Sequence, residues 1–252
     1  MNKHLIVSGC SFTEILSGHK AWPEWLVDKL NGVDFYSLSS SAMGSQGNGL
    51  ISRGIIYDVS TKLKNGVDPK DILVGVQWSG SDRMDFLLDD DQIKQARLDP
   101  SKGVETRVPN PDSNWDGWME NPTGFIPGEP KKWVISNLGW KLAKDFYMKW
   151  HSPEFGLVMT LEHILRTQWF LERNNINYFM TTMNSKVMLP DDDPTTKHLY
   201  DQIDFTNFLP VAGMQEWAYG PAWANLHPSQ KLHKKFAVKI IMPFLKERYK
   251  IN

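Results

Sequence analysis

Short apolar runs alternate with longer segments whose apolar residues recur every three or four positions over the first third of the chain. The run around Leu5-Ile6-Val7, over residues 4–8, reads as a buried strand, because continuous apolarity of that length suits a strand covered on both faces. Residues 21–30 have helical spacing, an early Pro23 and an Asn31-Gly32 stop. Val33 to Leu38 reads as a second strand and residues 39–49 as a Ser/Gly loop. A helix then runs from about Leu50 to Leu63, closed by Asn65-Gly66, and Asp71 to Gln77 is a third strand. This βαβαβ order predicts an α/β protein: a three-layer α/β/α, flavodoxin-like parallel sheet.

The pattern breaks between about residues 83 and 153, where Pro, Asp, Asn, Gly and Trp dominate and Val108-Pro109-Asn110-Pro111-Asp112 carries strong turn chemistry. Structureless loops of that length are uncommon inside compact domains, so the stretch reads as a Trp-rich insertion with partial order of its own. Its end, Val134 to Trp150, has helical spacing. Regular alternation resumes with a helix at about 156–173, a strand at 176–181 and a mixed segment through Ala218. A last helix spans Pro228 to about Tyr249, with a kink expected at Pro243. The expectation is one domain over residues 1–252 with an insertion at about 83–153.

Composition narrows the function classes. The formal net charge is -1, which argues against a general electrostatic grip on nucleic acid or an anionic membrane. No apolar run reaches 18 residues, and Met1-Asn2-Lys3-His4 leads into a strand instead of a signal-peptide core, so a cytoplasmic protein is expected, or a virion-associated one if phage-encoded. Cys10 is the only cysteine, which leaves no intrachain disulfide and no cysteine-rich zinc site. Asp89-Asp90-Asp91 and Asp191-Asp192-Asp193-Pro194 lack an EF-hand pattern and read as solvated turns, so no metal or organic cofactor is expected. Eleven tryptophans are many; Trp78, Trp115, Trp118, Trp133, Trp217 and Trp223 stand in loop-like contexts. They either pack the insertion onto the core or offer ring faces to a sugar.

Chemistry concentrates where strands one to three end. Strand one breaks at Gly9 into Cys10-Ser11-Phe12-Thr13, which puts Ser11 at the carboxyl edge of the sheet, where open α/β folds build their sites. A serine hydroxyl needs a base to become a nucleophile. His227, in Asn225-Leu226-His227-Pro228-Ser229, stands just before the last helix and can supply one. An oxyanion needs N–H donors. The N–H groups of Ser11 and Gly44 and the side chain of Ser79 are candidates, with Gln77 and Asn48 as alternatives. Trp78, Arg83 and Trp223 are candidate substrate contacts. Each residue also has a plainer reading: Ser11 as a turn cap, His227 as a cap of the last helix, Cys10 as a small packed residue, and His233 as a surface residue.

These residues resemble the motifs of the SGNH (GDSL-type) hydrolase superfamily. Gly9-Cys10-Ser11-Phe12-Thr13 is similar to the nucleophile block, with Cys10 where an Asp is commonest; Gly44 resembles the oxyanion glycine; and His227-Pro228-Ser229, with His233 and Ala237 beyond it, resembles the histidine block. The style of the chain is similar to divergent members encoded by marine bacteriophages. The resemblance implies a serine esterase acting on small acyl esters, with O-acetyl groups on carbohydrate as one substrate class. Two departures stand out. Gln77-Trp78-Ser79-Gly80 occupies the place of the family's Gly-x-Asn-Asp, and Ala224 the place of its triad acid. Asn225 is then a candidate to orient His227, and Asp201, Asp204 and Glu216 are candidate acids upstream of it. A lapsed member serving as a carbohydrate-binding or phage structural protein is the alternative.

Overall fold

The computed structural model describes residues 3–16, 18–32, 34, 36–44, 46–87, 118–119, 133–135, 146, 149–185, 193–220 and 227–251. Four parallel strands form its centre: β1 (Lys3–Ser8), β2 (Tyr36–Ser40), β3 (Ile72–Trp78) and, numbered after the three short strands of the insertion, β7 (Asn177–Thr182). Their order across the sheet is β2-β1-β3-β7, with Leu5 opposite both Leu38 and Leu73, and Gly75 opposite Phe179. Connections are helical: α1 (Trp22–Leu30), α2 (Asn48–Lys64) and α3 (Pro153–Arg173). After β7 come α4 (Pro194–Tyr200), α5 (Met214–Tyr219) and α6 (Gln230–Phe236), then a π-helical turn Ala237–Ile241 and α7 (Met242–Tyr249).

Side-chain alternation sorts the core onto two faces. Leu5, Val7, Leu73 and Phe179 pack under α1 and the C-terminal helices, against Trp22, Leu26, Phe236, Ile241 and Leu245. The intervening residues Ile6, Val74, Val76, Tyr178 and Met180 pack against Ile51 and Ile55 of α2 and Leu161 and Leu165 of α3. Both faces are therefore covered, which gives the three-layer α/β/α arrangement and explains why β3 is buried at every position.

Several expectations change. β2 starts at Tyr36 and runs to Ser40, two residues past its expected end, because the ladder to β1 carries on through Ser39 and Ser40 on a half-exposed strand at one side of the sheet. Trp78 is not a loop residue: it closes β3 with no exposure, its Nε1 donating to Met180 Sδ at 3.3 Å. Within the insertion, β4 (Asp85–Leu87), β5 (Trp118–Met119) and β6 (Trp133–Ile135) form a small antiparallel sheet in the order β4-β6-β5. Val134 and Ile135, expected to open a helix, are thus strand; β-branched residues beside a Trp take that form once a partner strand is present. Most of the remaining insertion, including Trp115 and the rest of the expected helix to Trp150, lies outside the described residues. The kink expected at Pro243 is absorbed by the π-helical turn just before it, which accommodates the missing proline N–H and the ring. Among the described residues no helix is long and apolar enough to cross a membrane.

Candidate active site

In a sheet ordered this way, the chain leaves β1 toward β2 on one side and β3 on the other, so the crevice at their carboxyl ends is where a ligand site forms. Gly9 starts that crevice. A Cβ there would collide with the Thr13 side chain and approach Gln77 Cβ to 3.1 Å, so only glycine lets the chain fold back so tightly on leaving β1. The N–H groups of Thr13 and Glu14 both donate to Cys10 O, at 2.8 and 3.1 Å, closing one helical turn with Ser11 at its start. Beneath it runs a buried polar column: Trp22 Nε1 donates to Thr13 Oγ1 at 3.2 Å, Thr13 Oγ1 to Gln77 Oε1 at 2.7 Å, and Gln77 Nε2 to Met214 Sδ at 3.3 Å. Gln77 is therefore committed to holding the turn and does not face an oxyanion; its full burial is the reason.

Ser11 Oγ lies 2.8 Å from His227 Nε2, a contact between residues 216 apart in the chain. The imidazole is set by its surroundings. The Phe12 ring meets it edge-on with centroids 5.0 Å apart, and Tyr219 Oη donates to the His227 carbonyl at 2.8 Å. Gln230, at the start of α6, donates to Gly18 O at 2.8 Å and clasps the helix that follows His227 to the loop beyond Ser11. Neither Tyr219 nor Gln230 carries a sequence signal, because their partners are backbone carbonyls, which any residue presents.

His233 is not at the surface. It is 2% exposed on the inner side of α6, edge-on to His19 with centroids 5.4 Å apart. Burial, with His19 and His227 nearby, pushes its pKa down to about 4, so it stays neutral at ordinary pH.

The β2–α2 loop lies alongside. Ser41 N donates to Val7 O at 3.0 Å and Met43 N to Gly9 O at 3.1 Å, extending the β1–β2 ladder and bringing Gly44 beside the Ser11 turn. Burial raises the Glu14 pKa, and the nearby Gly44 amide works against that rise. Among the described residues no acceptor takes the Ser11 N–H.

Ser79, just past β3, is held rather than presented. Asn48 Oδ1 accepts from Ser79 N at 2.7 Å, while Asn48 Nδ2 donates to Ser79 O at 3.2 Å and to Thr160 Oγ1 at 3.0 Å. Arg83 Nη1 donates to Ser79 Oγ at 2.9 Å. Asn48 is thus a structural clamp between α2, α3 and the β3 loop, and Arg83 contacts that loop. Trp78, in the core, cannot touch a substrate in this structure. Asp85, from β4, completes the support by accepting from Gly47 N at 2.8 Å and Leu50 N at 2.9 Å; burial still pushes its pKa up to about 7. A Cβ at Gly47 would fall 2.8 Å from both Asp85 Cγ and Arg83 O, so the glycine is what lets this carboxylate reach the start of α2.

The candidate acids are engaged elsewhere. Asp201 accepts from Lys197 Nζ at 2.9 Å, Asp204 from Thr206 N and Asn207 Nδ2, and Glu216 from Ser185 N and Oγ. Asn225 and Trp223 lie outside the described residues. Among the described residues no group of three or more His, Cys, Asp or Glu is placed to hold a metal ion.

No protein-family model matches the chain, and no curated protein matches it. Among solved structures, the crystal structure of TesA aligns over 97% of this chain and 99% of its own, at a TM-score of 0.47 and 10% sequence identity.

Proposed function

We propose that this protein is a serine hydrolase of SGNH type, cleaving acyl esters through an acyl-enzyme on Ser11. The observation that carries the reading is the 2.8 Å contact between Ser11 Oγ and His227 Nε2 at the carboxyl edge of the sheet. That is the separation a nucleophile and its base require. His227 Nε2 takes the Ser11 proton as Oγ attacks the carbonyl carbon, and the N–H groups of Ser11 and Gly44 hold the oxygen as it gains charge. Collapse breaks the bond to the alcohol oxygen, which leaves with the proton from His227. Water, deprotonated by the same histidine, then attacks the acyl carbon and releases the acid, returning the proton to Ser11. Ser79 has no part in this sequence, because its hydroxyl and backbone are committed to Arg83 and Asn48.

The substrate is an ester of a small acyl group. A sugar as its alcohol has less support than the tryptophan count suggested, since Trp78 is in the core. Labelling with a fluorophosphonate probe tests the reading. Wild type takes up the probe at pH 7–8 and Ser11→Ala does not; absence of labelling in the wild type between about pH 6 and 9 overturns it and leaves the binding-protein alternative.

A further inference from the structure

We propose that Asp85 is a positioning residue for the reaction: from the insertion, it closes the open end of α2 and so fixes the loop that presents the Gly44 amide to the substrate oxygen. The proposal rests on the reading of Ser11 as nucleophile and Gly44 as oxyanion donor. A helix starts with N–H groups that have no acceptor within it, and a side chain at its first residues ordinarily takes them. Here α2 supplies none. Its N-cap is Gly47, without a side chain, and no acidic residue stands in its first turn. Asn48, the first helical residue, holds Ser79 and Thr160 instead. The acceptor comes from another element, 38 residues beyond Gly47: Asp85 Oδ1 accepts from Gly47 N at 2.8 Å and Oδ2 from Leu50 N at 2.9 Å. Those are the N-cap and N3 amides, which a local capping box satisfies with two side chains. One carboxylate takes both, at the positive end of a 17-residue helix.

The same contact holds the oxyanion loop. Its near end is fixed to the end of β1, where Met43 N donates to Gly9 O at 3.1 Å. Gln46 N donates to Met43 O at 3.2 Å, closing the tight turn on which Gly44 lies. Past the turn there are two holds: Gln46 Nε2 on Ser8 Oγ at 3.3 Å, a bond between neutral groups, and Asp85 on Gly47 N. The second is shorter, and its acceptor carries charge at pH 8, above the value of about 7 to which burial raises the Asp85 pKa. It is also the hold that belongs to the insertion, since Asp85 opens β4 opposite Ile135 of β6. Without it, the far end of the turn rests on one neutral side-chain bond, and the Gly44 N–H gains freedom to swing. A catalytic group must stay within about 0.5 Å of its productive place. The hold of an N–H on the substrate oxygen strengthens as charge develops there, so a loosened donor lowers kcat more than it raises KM.

The test uses the full chain at pH 8, with a fluorophosphonate probe and p-nitrophenyl acetate. Asp85→Ala should label Ser11 about tenfold more slowly than wild type, and lower kcat on p-nitrophenyl acetate about tenfold with KM within about twofold. Asp85→Asn should fall between, because its amide keeps one acceptor oxygen and turns an NH2 toward the other N–H. Gly47→Ala, whose Cβ would come 2.8 Å from both Asp85 Cγ and Arg83 O, displaces the carboxylate from the opposite side. Combined with Asp85→Ala, it should slow labelling little beyond the slower single variant. Val59→Ala is the comparator: it opens a cavity under α2 about three turns further along, and should label within about twofold of wild type. The proposal is overturned, with the hydrolase left standing, by any of four results: Asp85→Ala labelling at the wild-type rate, an effect on KM alone, equal slowing by Val59→Ala, or effects of Gly47→Ala and Asp85→Ala that multiply. If Asp85→Ala does not fold, Asp85→Asn and Gly47→Ala carry the same comparison. No labelling of the wild type removes the hydrolase reading, and the positioning role with it.

Discussion

Ser11 and Ser79 stand at the ends of adjacent strands, and the protein treats them in opposite ways. Ser11 is half-buried, its N–H has no acceptor among the described residues, and its hydroxyl meets one partner, an exposed histidine. Ser79 is 1% exposed, with N–H, carbonyl and hydroxyl all engaged by Asn48 and Arg83. The difference separates a group left available for chemistry from one spent on support. Unmet hydrogen-bonding capacity at a solvent-facing edge is where a substrate can gain contacts, whereas a saturated group offers none.

Breaking the available side gives the largest effect. Ser11→Ala should abolish probe labelling, a loss of at least about a thousandfold, with the melting temperature nearly unchanged; retained labelling would mean another residue reacts. His227→Ala should lower the Ser11 labelling rate by about a thousandfold or more, because the serine loses its base. An effect below tenfold would sever the pair. On the supporting side the losses fall on stability. Asn48→Ala strands the buried Ser79 N–H and its carbonyl together, at a cost of about 2–4 kcal/mol, read as a melting temperature lower by about 5–15 °C. Ser11 in the folded variant should still label. Gln77→Leu leaves the Thr13 hydroxyl without its acceptor and should cost about 1–2 kcal/mol, with slower labelling as the turn beneath Ser11 loosens.

The last expected change is a slope with pH. The His233 pKa is depressed to about 4 in the fold, so the unfolded chain binds its proton first. Its contribution to stability is present above pH 6.5 and is lost as pH falls toward 4, about 3 kcal/mol in all. His163, also held near 4 by burial and Arg166, acts in the same sense. Asp58 and Asp85, pushed up to about 6 and about 7, act oppositely, their stabilisation fading as pH rises through those values. The test is therefore the difference in unfolding free energy between wild type and His233→Leu at pH 7 and pH 4. A difference that does not change with pH would show that His233 protonates freely in the folded state.

Much of the frame is legible in the chain because it depends on local patterns. Apolar runs at residues 4–8 and 71–77, with helical spacing between them, determine the sheet, and a serine after the first strand with a histidine before the last helix marks the edge where they meet. What escapes is whatever depends on which loops touch. Asn48 reads as a possible oxyanion donor until the β3 loop is seen to fill its amide, and Gln77 does so until Thr13 is found above it. Asp85 is an ordinary acidic residue in sequence; only the close approach at Gly47 gives it backbone amides to hold. Tryptophan content misleads in the other direction, since Trp78 looks accessible beside Ser79 and is fully buried at the end of β3.

The 216-residue span between Ser11 and His227 has a consequence for biosynthesis. Translation delivers the serine 216 residues before the histidine, so over that interval a growing polypeptide on the ribosome carries the one without the other. A product arrested before His227 would hold the Ser11 hydroxyl without that hydrogen-bond partner. The Ser11–His227 contact forms only once the segment carrying the histidine has been made and has docked on the sheet edge.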